Sequence, residues 1–278
     1  MPLRLVALDL DGTLLDPFGE LSGGVCEAVG ALQRAGLQVV LCTGRRFRTA
    51  LPMAHRLGLD GPIVVNNGVL VKDIESGKTL QHQFLPLDIF AQALELMREL
   101  GPPLVYIDAY HEGTDMITER VESAHPFQQE YLADNTEFSQ IVEDLSAARP
   151  SEIIMMSAMA DEDSLAAVER RAREALGPRV HTHRLINKSY RGHILEFLSP
   201  SSGKWSALKG LAASEGIGAD EIAAIGDDRN DVEMLREAAL GIAMGNAVED
   251  ARDAAGHVVR SNAEGGVVEA IERVLLAR

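Results

Sequence analysis

Leu5-Val6-Ala7-Leu8-Asp9-Leu10-Asp11-Gly12-Thr13-Leu14 is the stretch on which the reading of the whole chain turns. Its opening apolar run carries no helical stripe and reads as a strand buried on both faces. In open α/β sheets chemistry collects where such strands end, and this one ends in two carboxylates. Aspartates one residue apart repel each other unless a proton or a cation sits with them, and oxygen donors of this kind suit a hard ion such as Mg²⁺. Gly12 lets the chain turn tightly beside them. A plain strand followed by an Asp-Gly turn has the same local pattern, so partners farther along decide between the two readings.

Those partners lie at the ends of further apolar runs. Residues Leu21 to Ala35 place Val25, Val29 and Leu32 on one helical face and stop at Gly36. A second strand, Leu37 to Cys42, runs into Thr43-Gly44-Arg45-Arg46, and a helix from Phe47 to Leu57 follows. This strand-helix-strand series predicts right-handed parallel crossovers. Thr43 therefore ends a strand as Asp9 does, and a hydroxyl, a glycine that permits close backbone approach and a helix start together make a small anion site. An ordinary loop is the alternative for Thr43-Gly44-Arg45. Pro62 to Val65 forms a third strand stopped by Asn66-Asn67-Gly68, and Val69 to Phe84 reads as a hairpin turning at Glu75 to Lys78. After a middle region with its own helices and strands, Ser201-Ser202-Gly203-Lys204 starts a helix. Glu221 to Ile225 is then a buried strand ending in Gly226-Asp227-Asp228-Arg229-Asn230-Asp231.

These elements predict an α/β fold, a doubly wound, Rossmann-like parallel-sheet core carrying a large inserted α+β domain. The expected boundaries put the core at residues 1–82 and 192–278 and the insert at 83–191. The chain has 278 residues, 46% of them hydrophobic and 24% charged, as in ordinary globular proteins. A net charge of −16 argues against a nucleic-acid or anionic-membrane partner, because phosphate backbones demand basic surface. Two cysteines, Cys26 and Cys42, support neither a disulfide framework nor a thiolate zinc site, and both read as small core residues. Neither a leader pattern nor an apolar run of membrane-spanning length occurs, so a cytoplasmic protein is expected, as monomer or homodimer.

If the strands form one parallel sheet, Asp9, Asp11, Thr43 and Asp227 come together along its carboxyl edge, and Lys204 arrives from a helix start. That set suits phosphoryl transfer to or from a small molecule. Mg²⁺ on Asp9 and Asp227 would neutralise phosphate charge, while Thr43 and Lys204 would grip phosphate oxygens. These loops hold no Ser-His or Cys-His pair, so a carboxylate is the simplest nucleophile: Asp9 attacks phosphorus and becomes an aspartyl phosphate. Asp11 would serve as general acid and then base, its proton affinity raised by the neighbouring carboxylate.

With these residues in view, the chain resembles the phosphatases of the haloacid dehalogenase superfamily, and more narrowly their Cof-type sugar-phosphatase-like branch. The four family motifs are matched in order by Asp9-Leu10-Asp11-Gly12-Thr13, Thr43-Gly44-Arg45, Lys204 and Gly226-Asp227-Asp228-Arg229-Asn230-Asp231. Asn67-Gly68, Ala243-Met244-Gly245-Asn246-Ala247 and a large cap between the second and third motifs also resemble that branch. The resemblance implies Asp9 as nucleophile and metal ligand, and Asp11 as acid/base with its main-chain carbonyl on the metal. Asp227 is then the third protein ligand, Asp231 a support of the metal site through water, and Asn230 a neighbour of the phosphate. Asp228 is left between such a supporting role and a structural one. It implies a Mg²⁺-dependent phosphatase of small phosphorylated metabolites, sugar phosphates first, with a cap that opens for exchange. Trp205 departs from the branch, which commonly has a small residue after the lysine.

Two rival functions use the same residues. A phosphomutase would return the phosphoryl group to a sugar, and a catalytically idle phospho-ligand binder would keep the fold; the latter is expected to have lost Asp9, Asp11 or Asp227. His181-Thr182-His183 with His193 could suggest a transition metal, but two histidines on an alternating strand read better as one solvated face. Arg45 reads as near the site. Tyr106, Asp108, Tyr110 and His111 read either as contacts to a leaving group or as plain surface, and Glu196 as structural.

Overall fold

The computed structural model describes residues 2–120, 124–148, 150–187 and 192–276. They divide into two compact units, one of Met1–His82 with Gly203–Arg278 and one of Gln83–Ser202.

Five parallel strands organise the first unit, in the order His257–Val258, Leu240–Ala243, Ile222–Gly226, Leu5–Leu8, Gln38–Leu41. Every residue of Leu5–Leu8 is buried, as a central parallel strand requires. The chain leaves that strand for Gln38–Leu41 on one flank and returns as Ile222–Gly226 on the other. Leu5–Leu8 is therefore the point where strand order reverses, the place in open α/β sheets where ligands bind. Register then sets the site. Leu8 pairs with both Ile225 and Leu41, Asp9 N donates to Ile225 O at 3.0 Å, and Cys42 N donates to Leu8 O at 2.8 Å. Asp9, Thr43 and Asp227 thus emerge from one edge within a residue of the same level.

The helix Gly23–Arg34 starts where Ser22 Oγ accepts from Val25 N at 3.2 Å and buries Val25, Ala28, Val29 and Leu32. Cys42 is buried as expected, but Cys26 is only half-buried, because it falls one position off that apolar stripe. Pro62–Val65 does not extend the parallel sheet as a full strand. It pairs antiparallel with Leu70–Asp73, which pairs with Thr79–His82, and a parallel bridge from Val64 to Cys42 ties this small sheet to the large one. Trp205 is 4% exposed and packs with Val64, Val71 and Leu208, so the bulky ring is a core residue.

In the second unit a six-stranded sheet runs His181–Asn187, Gly192–Leu198, Ile153–Ala160, Leu104–Ile107, Met116–Thr118, Ser139–Ile141. The helices Leu87–Met97 and Glu162–Leu176 share its core through Phe90, Leu94, Met97, Leu165 and Val168, packed with Val105, Met156, Leu195 and Phe197. The return to the core was expected at 192, next to residue 191, which lies outside the described residues. Gly192–Leu198 instead pairs along its length with Ile153–Ala160 and His181–Asn187, so this unit runs on to Ser202. Glu196 accordingly lies inside a strand, buried beside His183, whose Nδ1 is 3.3 Å from Glu196 Oε2. Among the described residues no helix is long and apolar enough to cross a membrane.

Candidate active site

After Asp9 the chain makes a widened turn over Leu10–Leu14, closed by Leu15 N donating to Leu10 O at 2.9 Å. Gly12 has φ 93°, a left-handed conformation, and a Cβ there would fall 2.1 Å from Asp227 Oδ2. Glycine is demanded twice over, by backbone and by space. The turn brings Thr13 back to the neighbouring strand end, where its Oγ1 donates to Asp227 Oδ1 at 3.0 Å. Asn246 Nδ2 reaches the other oxygen, Asp227 Oδ2, at 3.3 Å and Gly12 O at 2.8 Å. Thr13 and Asn246 are orienting residues that sequence reading left without a role. Their signal was present in the Asp-Gly-Thr run and in the Gly245-Asn246 strand end, but the strand order was needed to see that both point at Asp227.

Lys204 opens the helix Lys204–Ser214, and its side chain is 1% exposed. Its Nζ donates to Asp9 Oδ1 at 2.6 Å and to Asp231 Oδ1 at 2.7 Å. The other Asp231 oxygen, Oδ2, accepts from Asp227 N at 3.0 Å and from Asp228 N at 3.1 Å, which locks the loop after Ile222–Gly226 onto the lysine. Asp9, Asp227 and Asp231 are all buried and offer oxygens within 4.8 Å of one another.

Two expected carboxylates stand apart from this group. Asp228 is exposed, its side chain accepting from Arg229 N at 2.7 Å, so its carboxylate caps a turn rather than joining the cluster. The Asp11 carboxylate, half-exposed, is held by Arg45: Nε to Oδ2 and Nη2 to Oδ1, both 2.7 Å, the parallel fork that guanidinium and carboxylate favour. That fork raises the Arg45 proton affinity further above its usual range. Thr43 is fully buried, its Oγ1 accepting from Arg45 N at 3.1 Å, beside Gly44. Asn230 Nδ2 donates to Asn67 Oδ1 at 2.9 Å.

In the second unit, Tyr106 is buried with its hydroxyl 3.3 Å from that of Tyr131, and Tyr110 meets His111 edge-on at 5.2 Å. Among the described residues His181, His183 and His193 form no metal-ligating group.

Burial pushes the Asp9 carboxyl well above the usual range; Lys204 opposes that push, and the Asp231 and Asp227 carboxylates reinforce it. Burial works against the Lys204 charge, but the Asp231 and Asp9 carboxylates overcome it and raise its proton affinity above an ordinary lysine's. Burial likewise raises the Cys42 thiol, which makes that residue an inert core group. Three buried carboxylates beside one ammonium leave excess negative charge in a dry place. All the donors are hard oxygens, so the set fits a divalent ion such as Mg²⁺.

Comparison with known proteins shows the family. The family model for haloacid dehalogenase-like hydrolases matches residues 6–271. The chain is 30% identical to a 5-amino-6-(5-phospho-D-ribitylamino)uracil phosphatase of Bacillus subtilis, with 98% of each chain covered. It is 26% identical to a pyridoxal phosphate phosphatase of Escherichia coli, again over 98% of each. A crystal structure of a haloacid dehalogenase-like hydrolase from Bacteroides thetaiotaomicron superimposes with a TM-score of 0.81 at 28% identity, covering 98% of this chain and 99% of that one.

Proposed function

The chain belongs to the haloacid dehalogenase-like hydrolases and is a phosphoric monoester hydrolase, and from that premise we propose a Mg²⁺-dependent phosphatase of small phosphorylated metabolites that works through a phosphorylated Asp9. The observation that carries the reading is the convergence of Asp9, Asp227 and Asp231 with Lys204 at the strand-order reversal. Asp9, Asp227 and the Asp11 main-chain carbonyl would hold the ion, with Asp231 in support, and the ion supplies positive charge against the phosphate.

The remaining work falls to the chain's own groups. Lys204 fixes the rotation of the Asp9 carboxylate through Oδ1 and adds positive charge where the phosphate binds. Thr43 and Gly44, with Asn230 opposite, hold phosphate oxygens. An Asp9 oxygen attacks phosphorus, the bond to the leaving oxygen breaks, and Asp11 gives that oxygen a proton. Water then attacks the same phosphorus, Asp11 takes a proton from it, and orthophosphate leaves with Asp9 restored.

Sugar phosphates stand first as substrates, and the two relatives named above add a ribityl phosphate and pyridoxal phosphate to the set worth trying. The test is orthophosphate release from a panel of such metabolites, in Mg²⁺ and again after chelation. Release that stops on chelation and returns with Mg²⁺ supports the reading; release indifferent to chelation contradicts it.

A further inference from the structure

Asn66, Asn67 and Gly68 have φ of 51°, 54° and 84°, three consecutive residues in the left-handed region, two of them not glycine. Strain of this kind costs on the order of 1 kcal/mol or more per residue and persists only where the surroundings impose it. The surroundings here are three separate segments of the candidate site. Asn66 N donates to Arg45 O at 2.9 Å and Asn67 N to Thr43 O at 3.1 Å. Gly68 lies so close to the helix start that a Cβ would fall 2.1 Å from Gly203 O and 2.9 Å from Lys204 N. Asn67 Oδ1 accepts from Asn230 Nδ2 at 2.9 Å and would stand 2.9 Å from a Cβ on Gly44.

A second observation points to a ligand. Three buried side-chain polar atoms lack a hydrogen-bond partner among the described residues, and two of them belong to this turn and the residue it holds: Asn66 Nδ2 and Asn230 Oδ1. Buried polar groups are almost always satisfied; the open Asn66 Nδ2 is a donor suited to a phosphate oxygen, whereas the open Asn230 Oδ1 is an acceptor, which leaves the Asn230 amide nitrogen as the end that faces phosphate.

We propose that Asn67 is a positioning residue for phosphate binding, acting through Asn230, and that the turn it belongs to keeps Thr43, Lys204 and Asn230 in register around one phosphate. The inference rests on the phosphatase reading above. The Asn230 amide nitrogen carries two protons, and committing one to Asn67 fixes the direction of the other, which is left for a phosphate oxygen. In this left-handed backbone the Asn67 side chain stands against Gly44 and Asn230 while its N–H meets Thr43.

Asn67→Gly separates the side chain from the turn, because glycine adopts the same φ freely and loses only the amide. The experiment measures orthophosphate binding by titration calorimetry in Mg²⁺ buffer for the unaltered protein, Asn67→Gly, Asn230→Ala and the double variant. Turnover of p-nitrophenyl phosphate and thermal midpoints are recorded in parallel. The expected result is binding weakened about tenfold in Asn67→Gly, the factor carried by one lost hydrogen bond of ordinary net worth, at an almost unchanged midpoint. The double variant should bind no more weakly than Asn230→Ala, because Asn67 has nothing left to act through. Unweakened binding in Asn67→Gly overturns the proposal, and so do losses that simply add in the double variant. An unaltered protein that turns over p-nitrophenyl phosphate while Asn67→Gly binds normally refutes the positioning role alone. An unaltered protein that neither binds orthophosphate nor releases it overturns the phosphatase reading and this inference with it.

Discussion

Arg45 holds Asp11 by two parallel hydrogen bonds of 2.7 Å, although the two residues leave the sheet from different strands. The carboxylate proposed as acid and base is therefore held by a guanidinium and does not belong to the buried cluster of Asp9, Asp227 and Asp231. Both partners are partly exposed, so the pair contributes little to stability and its value lies in orientation. Arg45→Ala should lower kcat by about tenfold or more, a fraction of what general acid-base catalysis supplies, and leave the thermal midpoint nearly unchanged. Arg45→Lys should recover only part of the rate, because an ammonium cannot reproduce the fork. Steady-state kinetics on the three proteins checks this, and a change confined to KM would contradict it.

Gly12 touches function through space. Asp227 Oδ2 occupies the position that a Gly12 Cβ would need, at 2.1 Å, and φ 93° adds backbone strain for any other residue. Gly12→Ala should displace Asp227 and cost about a hundredfold in turnover, the scale of a misplacement near 1 Å. It should also cost about 1–3 kcal/mol of stability, read by denaturant unfolding. Near-normal turnover in this variant would mean that Asp227 has no part in the reaction.

Thr13 should be read out through the metal rather than through the rate at saturation. Its hydroxyl orients Asp227 Oδ1 at 3.0 Å, and groups that orient a ligand typically carry 10- to 100-fold in metal affinity. Thr13→Val is expected to raise the Mg²⁺ concentration for half-maximal activity by about tenfold or more, with most of kcat restored by excess Mg²⁺. A Mg²⁺ titration of activity checks it; an unshifted curve would separate Thr13 from the metal site.

One pH effect belongs to the second unit. Asp161 caps the helix Glu162–Leu176 by accepting from Ser164 N at 2.9 Å and from Ser164 Oγ at 2.7 Å. The backbone bond above all lowers the Asp161 carboxyl below its usual value. A depressed carboxyl contributes stability that is present above its unfolded pKa, about 3.9, and is lost as pH falls through the folded value. Asp161→Ala should therefore melt below the unaltered protein at pH 7, and the difference should narrow as pH drops below about 4. Melting curves across that range test it; a gap that widens on acidification would contradict the assignment.

The buried strands were legible because a parallel sheet writes itself as short unbroken apolar runs: Leu5 to Leu8 and Ile222 to Ile225 end in polar loops that show where the edge lies. Asp9, Asp227 and Lys204 could be grouped from those ends. What escaped was long-range pairing. Gly192–Leu198 reads as a strand, yet nothing local says which sheet it joins, and its partners Ile153–Ala160 and His181–Asn187 put it in the second unit. The grip of Arg45 on Asp11, and of Thr13 and Asn246 on Asp227, likewise depends on loops from non-neighbouring parts of the chain. Asn66-Asn67-Gly68 was readable as a turn, but the three segments it touches were not.

The central claim is that Asp9 is the group that takes the phosphoryl, and its most direct measurement is orthophosphate release from p-nitrophenyl phosphate by the unaltered protein and by Asp9→Asn, each with and without Mg²⁺. Asparagine keeps the shape and removes the nucleophilic oxygen. The account predicts release by the unaltered protein only when Mg²⁺ is present, and a loss of at least about a thousandfold in Asp9→Asn in Mg²⁺. Turnover by Asp9→Asn equal to that of the unaltered protein would contradict it.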